Sequence, residues 1–331
     1  MGVEATWAGA LVGYGLPAMG WDLLRIAAGL GVLVLAADRL VIAAVRLARA
    51  WGVSAILVGA LVVGLGTSMP EMLVSGIAAL DGQLDVAVAN VVGSNVANMT
   101  LVLGVTAIIA PLIARLEILK REGILMIVAL AVLAVFLFDH EFARWEAGLL
   151  AFGMVVALYL LLRWSWRDAE AESAVEAEIE EMSGGEHSWP RELAIGIVAL
   201  AATIYAADLT LDGALGVGEE LGLSATFLGL MLGVGTSMPE LATAVASVRR
   251  NEGDLVVGNV LGSNLFNSLA VAGIAGLVGP GSIDPSFRGG ALLMLAVAVV
   301  AGFFSRSGNA LVRSEGVVLV AGFGAFTLFL I

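Results

Sequence analysis

The length, composition and charge of the chain exclude an ordinary soluble domain. Its 331 residues are 60% hydrophobic and 14% charged, the net charge is −13, and cysteine is absent. Soluble domains are about 45–50% apolar and about 25% charged, so this chain has too few polar residues to cover a soluble core. Without cysteine, disulfides and thiolate metal sites are also excluded. We therefore predict an all-α polytopic membrane protein.

Apolar runs separated by charged residues or by Gly and Pro predict ten transmembrane helices of roughly 20 residues each. In chain order they cover residues 22–48, 54–80, 85–110, 117–138, 145–163, 191–220, 223–249, 254–278, 288–305 and 313–331. The chain then divides into a first half with five spans (1–163), an acidic linker (164–190) and a second half with five spans (191–331).

The distribution of arginine and lysine predicts the orientation, because these residues concentrate on the cytoplasmic side. With the amino terminus outside, twelve basic residues lie at inner ends and three at outer ends. The inner residues are Arg46, Arg49, Arg115, Lys120, Arg121, Arg163, Arg167, Arg191, Arg249, Arg250, Arg306 and Arg313, and the outer ones are Arg25, Arg144 and Arg288. We expect a multi-pass protein of the cell membrane with both termini outside and the linker in the cytoplasm.

Much of the acidic charge lies in the linker, between Asp168 and Glu186. A calcium-sensing loop is one interpretation of this run, and a solvated tether is the other. A calcium-binding loop requires Gly and Asp at fixed offsets, whereas this run consists mainly of Glu and Ala. We therefore favour the tether.

The two halves repeat one another. Residues 64–104 align without a gap to residues 233–273, and 17 of the 41 positions are identical. With one residue inserted, the match extends upstream to Ser54-Ala55 against Ser224-Ala225. Equivalent helices are five spans apart, and five is odd, so the copies cross the membrane in opposite directions. Inverted repeats of this kind are typical of secondary transporters, whose substrate site lies where the copies meet.

The first identical block is GTSMPE, at residues 66–71 and again at 235–240. Its proline has no N–H, so the carbonyl of the glycine four residues earlier loses its helical partner. A broken backbone at membrane depth is tolerated where it lines a cavity or contacts protein. Glu71 and Glu240 lie mid-span, where a carboxylate costs several kcal/mol. We expect the second, third, seventh and eighth helices to be broken and to form an oxygen-rich cation site.

The second block is NVVGSNVAN at residues 90–98, matched by NVLGSNLFN at 259–267. Its polar side chains are spaced i, i+4, i+8 and so form one stripe along a helix. They are Asn90, Ser94 and Asn98 in the first copy, and Asn259, Ser263 and Asn267 in the second. The candidate ligands from both blocks are all oxygen, which suits a hard cation such as Ca²⁺ with 6–8 oxygen ligands and not a soft transition metal.

These paired motifs resemble the alpha-repeats of the cation/calcium exchanger superfamily, with the prokaryotic sodium/calcium exchangers as the nearest branch. The resemblance implies that Glu71 and Glu240 bind calcium and sodium in turn, and that the first and sixth helices slide against the rest. It further implies backbone carbonyl ligands from Thr67 and Thr236, hydroxyl ligands from Ser68, Ser237, Ser94 and Ser263, and a central pair formed by Asn98 and Asn267.

The chain departs from the family pattern at Asn267, where some prokaryotic relatives and the potassium-dependent branches carry Asp. The core then holds two carboxylates, which argues against potassium coupling and leaves proton coupling open. Asp38 and Asp208 are further intramembrane acids, which we interpret as structural partners for helix ends or for Arg39 and not as ligands.

The expected function is therefore electrogenic Na⁺/Ca²⁺ antiport by alternating access, and the protein is expected to be a transporter and not an enzyme. A Ca²⁺/H⁺ antiporter, or one for another divalent cation, is the alternative on the same scaffold. A channel is disfavoured because nothing indicates a continuous pore, and an enzyme because no nucleophile–base set is present. We expect Ca²⁺ and Na⁺ as substrates and the lipid bilayer as surroundings, with no cofactor, nucleic acid or obligate protein partner.

Overall fold

The structure is a computed structural model that describes residues 18–113, 116–176, 188–222, 235–306 and 310–330. These residues form long helices joined by short connections, and the only strands among them are four of two residues each. The helices are α1 (Ala18–Trp51), α2 (Ala55–Thr67), α3 (Met69–Leu80), α4 (Leu84–Ile109), α5 (116–136), α6 (Arg144–Glu176), α7 (Trp189–Glu220), α8 (Met238–Arg249), α9 (Gly253–Val278), α10 (Phe287–Arg306) and α11 (Arg313–Leu330). The strands are β1 (Leu112–Ile113), β2 (Glu141–Phe142), β3 (Gly281–Ser282) and β4 (Ala310–Leu311).

The predicted all-α membrane fold is confirmed. Among the described residues, six helices are long and apolar enough to cross a membrane, and the bent pair of α2 and α3 makes a seventh. Most helix ends lie within a few residues of the predicted bounds, and the layout is consistent with ten spans. The exception is α6, which continues past the predicted end at 163 to Glu176, so the first part of the predicted linker is helical.

Some predictions concern residues outside the described ranges. They include the acidic run from 177 onward, the inner residue Arg115, and residues 223–234 at the start of the seventh span. Residues 223–234 contain Ser224 and Ala225 as well as Gly233, the first position of the second repeat.

The predicted breaks in the second and seventh helices lie at equivalent serines. Ser68 separates α2 from α3, which meet at 44°. Ser237 precedes α8 and has nearly the same backbone angles (φ −91°, ψ 7°, against φ −85°, ψ 6° for Ser68). In both copies proline stands in the first turn of the following helix, where its missing N–H costs no helical hydrogen bond.

The third and eighth helices, α4 and α9, depart from α-helical geometry differently. Each is continuous, with a π-helical turn of five residues that begins at Asn98 in α4 and at Asn267 in α9. A π-turn inserts an extra residue into the helix without breaking it and is often found at functional sites. The third and eighth helices were predicted to be broken. The structure instead has a widened turn at equivalent residues of the two helices, and neither helix is interrupted there.

The short strands repeat the inverted symmetry. β1, between α4 and α5, pairs with β4, between α10 and α11, and this pair closes one end of the bundle. β3 is the repeat equivalent of β1, and it pairs with β2 at the opposite end. Because equivalent connections lie at opposite ends, the fold is consistent with the inverted arrangement that the repeat predicts.

The helices α1 and α7 pack against each other, antiparallel, along most of their length. Near one end, Gly213 and Gly216 of α7 lie against Asp22 so closely that an added Cβ would come within 2.6 Å of it. Near the other end, the Arg46 guanidinium donates to the Glu192 carboxylate at 2.9 Å. These two helices correspond to the first and sixth spans and form one unit.

Asp38 is paired with a helix end, as predicted. The Arg250 guanidinium, directly after α8, donates to both carboxylate oxygens of Asp38 at 2.6 and 2.7 Å. This bidentate pair connects α1 to the helix that carries Glu240. The other predicted structural acid, Asp208, lies exposed on α7.

Candidate cation site

The two acids singled out by the repeat are buried in the protein interior. Glu71 lies in the first turn of α3 and Glu240 in the first turn of α8, and each is only 1% exposed. The first turn of a helix favours a negative side chain because the backbone N–H groups there point toward it. An acid buried within a membrane span is costly and typically marks a transport site.

The two copies meet at these residues. The Ser68 hydroxyl, at the break between α2 and α3, donates to Oε1 of Glu240 at 3.1 Å. The carboxyl groups of Glu71 and Glu240 are themselves close enough to interact electrostatically. Residues that are 169 positions apart in the chain therefore share one site, as the inverted repeat predicts.

Most of the predicted ligands have buried polar atoms that no protein group satisfies. Buried side-chain oxygens and nitrogens almost always have a hydrogen-bond partner, so a cluster of such atoms marks a place for a bound ion or for ordered water. The atoms are both Oε of Glu71, Oε2 of Glu240, the hydroxyls of Ser94 and Ser237, and both amide atoms of Asn98 and of Asn267. The set contains carboxylate, hydroxyl and amide oxygens, the ligand types of a hard cation.

The other asparagine of each stripe has a structural role. Nδ2 of Asn90 donates to the Glu71 carbonyl at 3.2 Å and to the Ser75 hydroxyl at 2.9 Å. Nδ2 of Asn259 makes the equivalent contact to the Glu240 carbonyl at 3.5 Å. These asparagines therefore hold the backbone of the two acidic residues in place, and only the last asparagine of each stripe has a free amide group.

The Thr67 and Ser263 hydroxyls are already engaged with the backbone. Thr67 donates to the Val63 carbonyl at 2.9 Å, and the resemblance implies its backbone carbonyl, not its hydroxyl, as the ion ligand. Ser263 donates to the Gly64 carbonyl at 3.2 Å and thus connects α9 to α2. The remaining predicted ligand, Thr236, directly precedes the break at Ser237 and is partly exposed.

Glycines bring α2 and α9 into backbone contact, and this contact places Ser263 against Gly64. A Cβ added to Gly262 would lie 2.4 Å from Cα and 2.5 Å from the carbonyl oxygen of Ala60. A Cβ on Gly258 would lie 2.3 Å from the Ile56 carbonyl oxygen. Neither helix backbone can approach its partner this closely if a side chain intervenes.

The substitution Gly262→Ala tests this packing. We expect it to separate α9 from α2 and to lower the thermal unfolding temperature of the purified protein, because overpacking typically costs about 1–3 kcal/mol of stability. The matched control is Gly76→Ala in α3, where an added Cβ meets nothing within 4 Å. The unfolding temperatures of both variants would be measured in the same detergent at equal protein concentration. Equal values for the two variants would show that the contact between α2 and α9 tolerates an added side chain.

Two residues at the crossing of α4 and α9 were missed by the sequence analysis. Nδ2 of Asn95 donates to the Ser268 hydroxyl at 3.1 Å, and both residues are fully buried. This bond joins α4 to the π-turn of α9, next to Asn267. Asn95 is identical in the two copies, and this identity could have marked it as a candidate. Ser268 could not be found in this way, because its repeat equivalent is Met99.

The site holds two carboxylates and is closed to solvent. Among the described residues, no three or more His, Cys, Asp or Glu come together as a metal-binding group. Except for the partly exposed Thr236, every predicted ligand is at most 2% exposed. In this structure the candidate ligands are therefore buried among the surrounding helices.

Comparison with known proteins identifies relatives over nearly the whole chain. The family model described as sodium/calcium exchanger protein matches residues 21–163 and 192–331. The chain is 34% identical to the inner membrane protein YrbG of Escherichia coli, over 89% of this chain and 92% of that protein. It is 28% identical to the sodium/calcium exchanger MaX1 of Methanosarcina acetivorans, over 93% of this chain and 98% of that one.

A solved structure confirms the fold. The sodium–calcium exchanger NCX_Mj, soaked with Na⁺ and Sr²⁺, superposes with a TM-score of 0.79 at 25% identity. The match covers 92% of this chain and 97% of that one. The family resemblance inferred from the GTSMPE and asparagine-rich blocks is thus confirmed, and the relatives named for an activity are exchangers and not enzymes.

Proposed function

Because the chain belongs to the sodium/calcium exchanger family, we propose that it exchanges Na⁺ for Ca²⁺ at the site formed by Glu71 and Glu240. Cation/calcium antiport is the activity of the family, and the choice of sodium as the counter-ion is the further step. The observation that carries the proposal is the pair of buried carboxylates from inverted copies, surrounded by side-chain oxygens without protein partners.

The charges of the site match one calcium ion or two sodium ions. Two glutamates carry two negative charges, and an uncompensated charge at the middle of a membrane is heavily penalised. One Ca²⁺ neutralises both carboxylates, and so do two Na⁺. The site therefore has a low-energy state with either ion, as an exchanger requires.

The neutral ligands favour sodium over protons as the counter-ion. A proton binds a carboxylate oxygen directly and needs no further ligands, whereas Na⁺ needs several oxygens. The hydroxyls of Ser94 and Ser237 and the amide oxygens of Asn98 and Asn267 are buried without protein partners. Such groups are costly to bury unless an ion uses them. They also provide room for a third Na⁺, which would make the exchange electrogenic.

Alternating access is proposed to arise from movement of the α1–α7 unit against the rest. Because the candidate ligands are buried, the site would open to either side when a covering element shifts. At the two breaks, α7 covers the backbone closely: Leu200 lies against Gly66 and Leu211 against Gly235. Sliding α7 along its axis would uncover one break and then the other.

The proposed orientation follows the basic residues, with both termini outside and the connection between α6 and α7 in the cytoplasm. The end of the bundle that carries β1 and β4 then faces the cytoplasm, and the end with β2 and β3 faces outward. We place the protein in the cell membrane, where an inward sodium gradient and an inside-negative potential would both drive calcium out.

Calcium uptake into proteoliposomes tests the choice of counter-ion. Vesicles loaded with Na⁺ are expected to accumulate external Ca²⁺, because outward sodium flow drives calcium inward. Vesicles loaded with K⁺ at the same concentration are expected to show only background uptake. Uptake driven by an acidic interior without sodium would instead establish the Ca²⁺/H⁺ alternative, and uptake that needs no counter-ion would indicate a channel.

A further inference from the structure

A cavity outside the cation site lies between four helices near the end of the bundle that carries β1 and β4. Its volume is about 300 Å³, and its walls come from α4, α5, α9 and α10. The floor is formed by buried apolar side chains, among them Met126, Val260 and Leu261. Its size and apolar lining are those of a small-molecule site.

The opening of the cavity is lined by apolar side chains on the outer surface of the bundle. Three of its lining residues, Ile124, Val299 and Phe303, are 53%, 55% and 67% exposed. All three are large and apolar and belong to helices α5 and α10, so the opening between these helices faces hydrocarbon in a membrane. The occupant that suits such an opening is an acyl chain.

A basic side chain, that of Lys120, lies at the edge of this apolar cavity. Lys120, the only lysine of the chain, lines it and is exposed. Within the described part of the chain Lys120 has no ion-pair partner. The neighbouring Arg121 is turned to another side, with its guanidinium 5.9 Å from the ring of Trp164. An ammonium group beside an acyl-chain cavity matches the headgroup phosphate of a lipid.

We propose that this cavity is a binding site for one anionic phospholipid, with an acyl chain between α5 and α10 and the phosphate on Lys120. In the proposed orientation the site belongs to the cytoplasmic leaflet, where anionic lipids concentrate. Two walls belong to helices of the cation site. Met99 is next to Asn98 in the π-turn of α4, and Leu261 lies two residues before Ser263 in α9. A bound acyl chain therefore supports the helices that carry these ligands.

Binding of defined lipids to the purified protein tests the proposal independently of transport. By native mass spectrometry, we expect one phosphatidylglycerol to be retained about fivefold more tightly than phosphatidylcholine with the same acyl chains. That ratio corresponds to the roughly 1 kcal/mol that one lysine contributes near a membrane surface. Lys120→Ala is expected to remove the preference, while Arg49→Ala, at an exposed arginine of α1, keeps it.

A second variant tests the acyl-chain cavity. Gly302 lines it, and a Cβ added there meets only Ile127, at 3.9 Å, so Gly302→Leu directs an apolar side chain into the cavity. We expect Gly302→Leu to weaken retention of both lipids, and Gly322→Leu, where an added Cβ meets nothing within 4 Å, to leave it unchanged. Equal retention of the two lipids by the unmodified protein, or no effect of either Lys120→Ala or Gly302→Leu, would overturn the proposal. Because no sodium or calcium flux is measured, this result is separate from that of the proposed exchange.

Discussion

Glu71→Gln and Glu240→Gln should each reduce calcium transport by more than about 100-fold. Glutamine keeps the shape of the side chain but removes one of the two charges opposite the divalent ion. Breaking a buried charge pair by removing one partner typically costs about 3–5 kcal/mol, which is the basis of this estimate. Initial rates of calcium uptake into sodium-loaded proteoliposomes measure the effect.

Glu146→Gln is the matched control for these variants. Glu146 is also a buried acid, 4% exposed, but it lies at the start of α6 and accepts a hydrogen bond from the Ala143 N–H. We expect this variant to retain most of the transport activity. Far-ultraviolet circular dichroism and gel filtration establish that each variant is folded. If folded Glu71→Gln and Glu240→Gln both keep more than half of the original rate, the site has been assigned to the wrong residues.

Membrane voltage should change the rate of sodium-driven calcium uptake. With three Na⁺ leaving the vesicle for each entering Ca²⁺, one positive charge moves outward per cycle. An inside-positive potential therefore accelerates uptake and an inside-negative potential slows it, with about 2.3 kcal/mol of driving force per 100 mV. Valinomycin with an inward or an outward potassium gradient sets the two potentials.

The control for the voltage experiment is the same pair of potassium gradients without valinomycin, which should give equal uptake rates. Equal rates with valinomycin would mean that no net charge moves. The stoichiometry would then be two Na⁺ per Ca²⁺, with both Na⁺ bound at Glu71 and Glu240. Faster uptake at inside-negative potential would contradict the proposed stoichiometry altogether, because it would mean that positive charge moves with calcium.

Much of the fold was predictable because the membrane constrains the chain strongly. Apolar length fixes the spans, and the observed ends of α1, α4 and α9 differ from the predicted ones by a few residues at most. The end of α6 was missed because polar residues after 163 end a membrane span but not a helix. Glu and Ala are good helix formers in water, so the helix continues to Glu176.

The candidate cation site was predictable from the repeat because identity between the copies selects residues that packing alone does not require. Glu71, Asn98 and their counterparts were selected in this way, and the structure buries them with polar atoms that have no protein partners. Identity between the copies selected Asn90 and Asn98 alike, although the two side chains differ in the structure. The Asn90 amide donates to the Glu71 backbone carbonyl, and this contact depends on how α3 packs against α4, which the sequence does not show.

The repeat predicts that Glu71 and Glu240 meet, but the particular partners of most other side chains across the helices were beyond prediction. The Asn95–Ser268 bond joins positions that are not equivalent in the two copies. The bidentate contact of Arg250 with Asp38 depends on how α1 crosses α8. The sequence at the end of a helix does not indicate which other helix packs beside it. Spacing along one helix indicates which residues share a face, but not which helix that face meets.

The central claim is that Ca²⁺ and Na⁺ occupy the same buried site in turn, and calcium binding to the purified protein tests it most directly. Equilibrium dialysis with radioactive calcium, at constant ionic strength, would compare NaCl with KCl. We expect one high-affinity Ca²⁺ per chain in KCl, progressively displaced as NaCl replaces KCl, and no such binding in the Glu71→Gln/Glu240→Gln double variant. A calcium affinity that is the same in NaCl and in KCl would contradict the shared site.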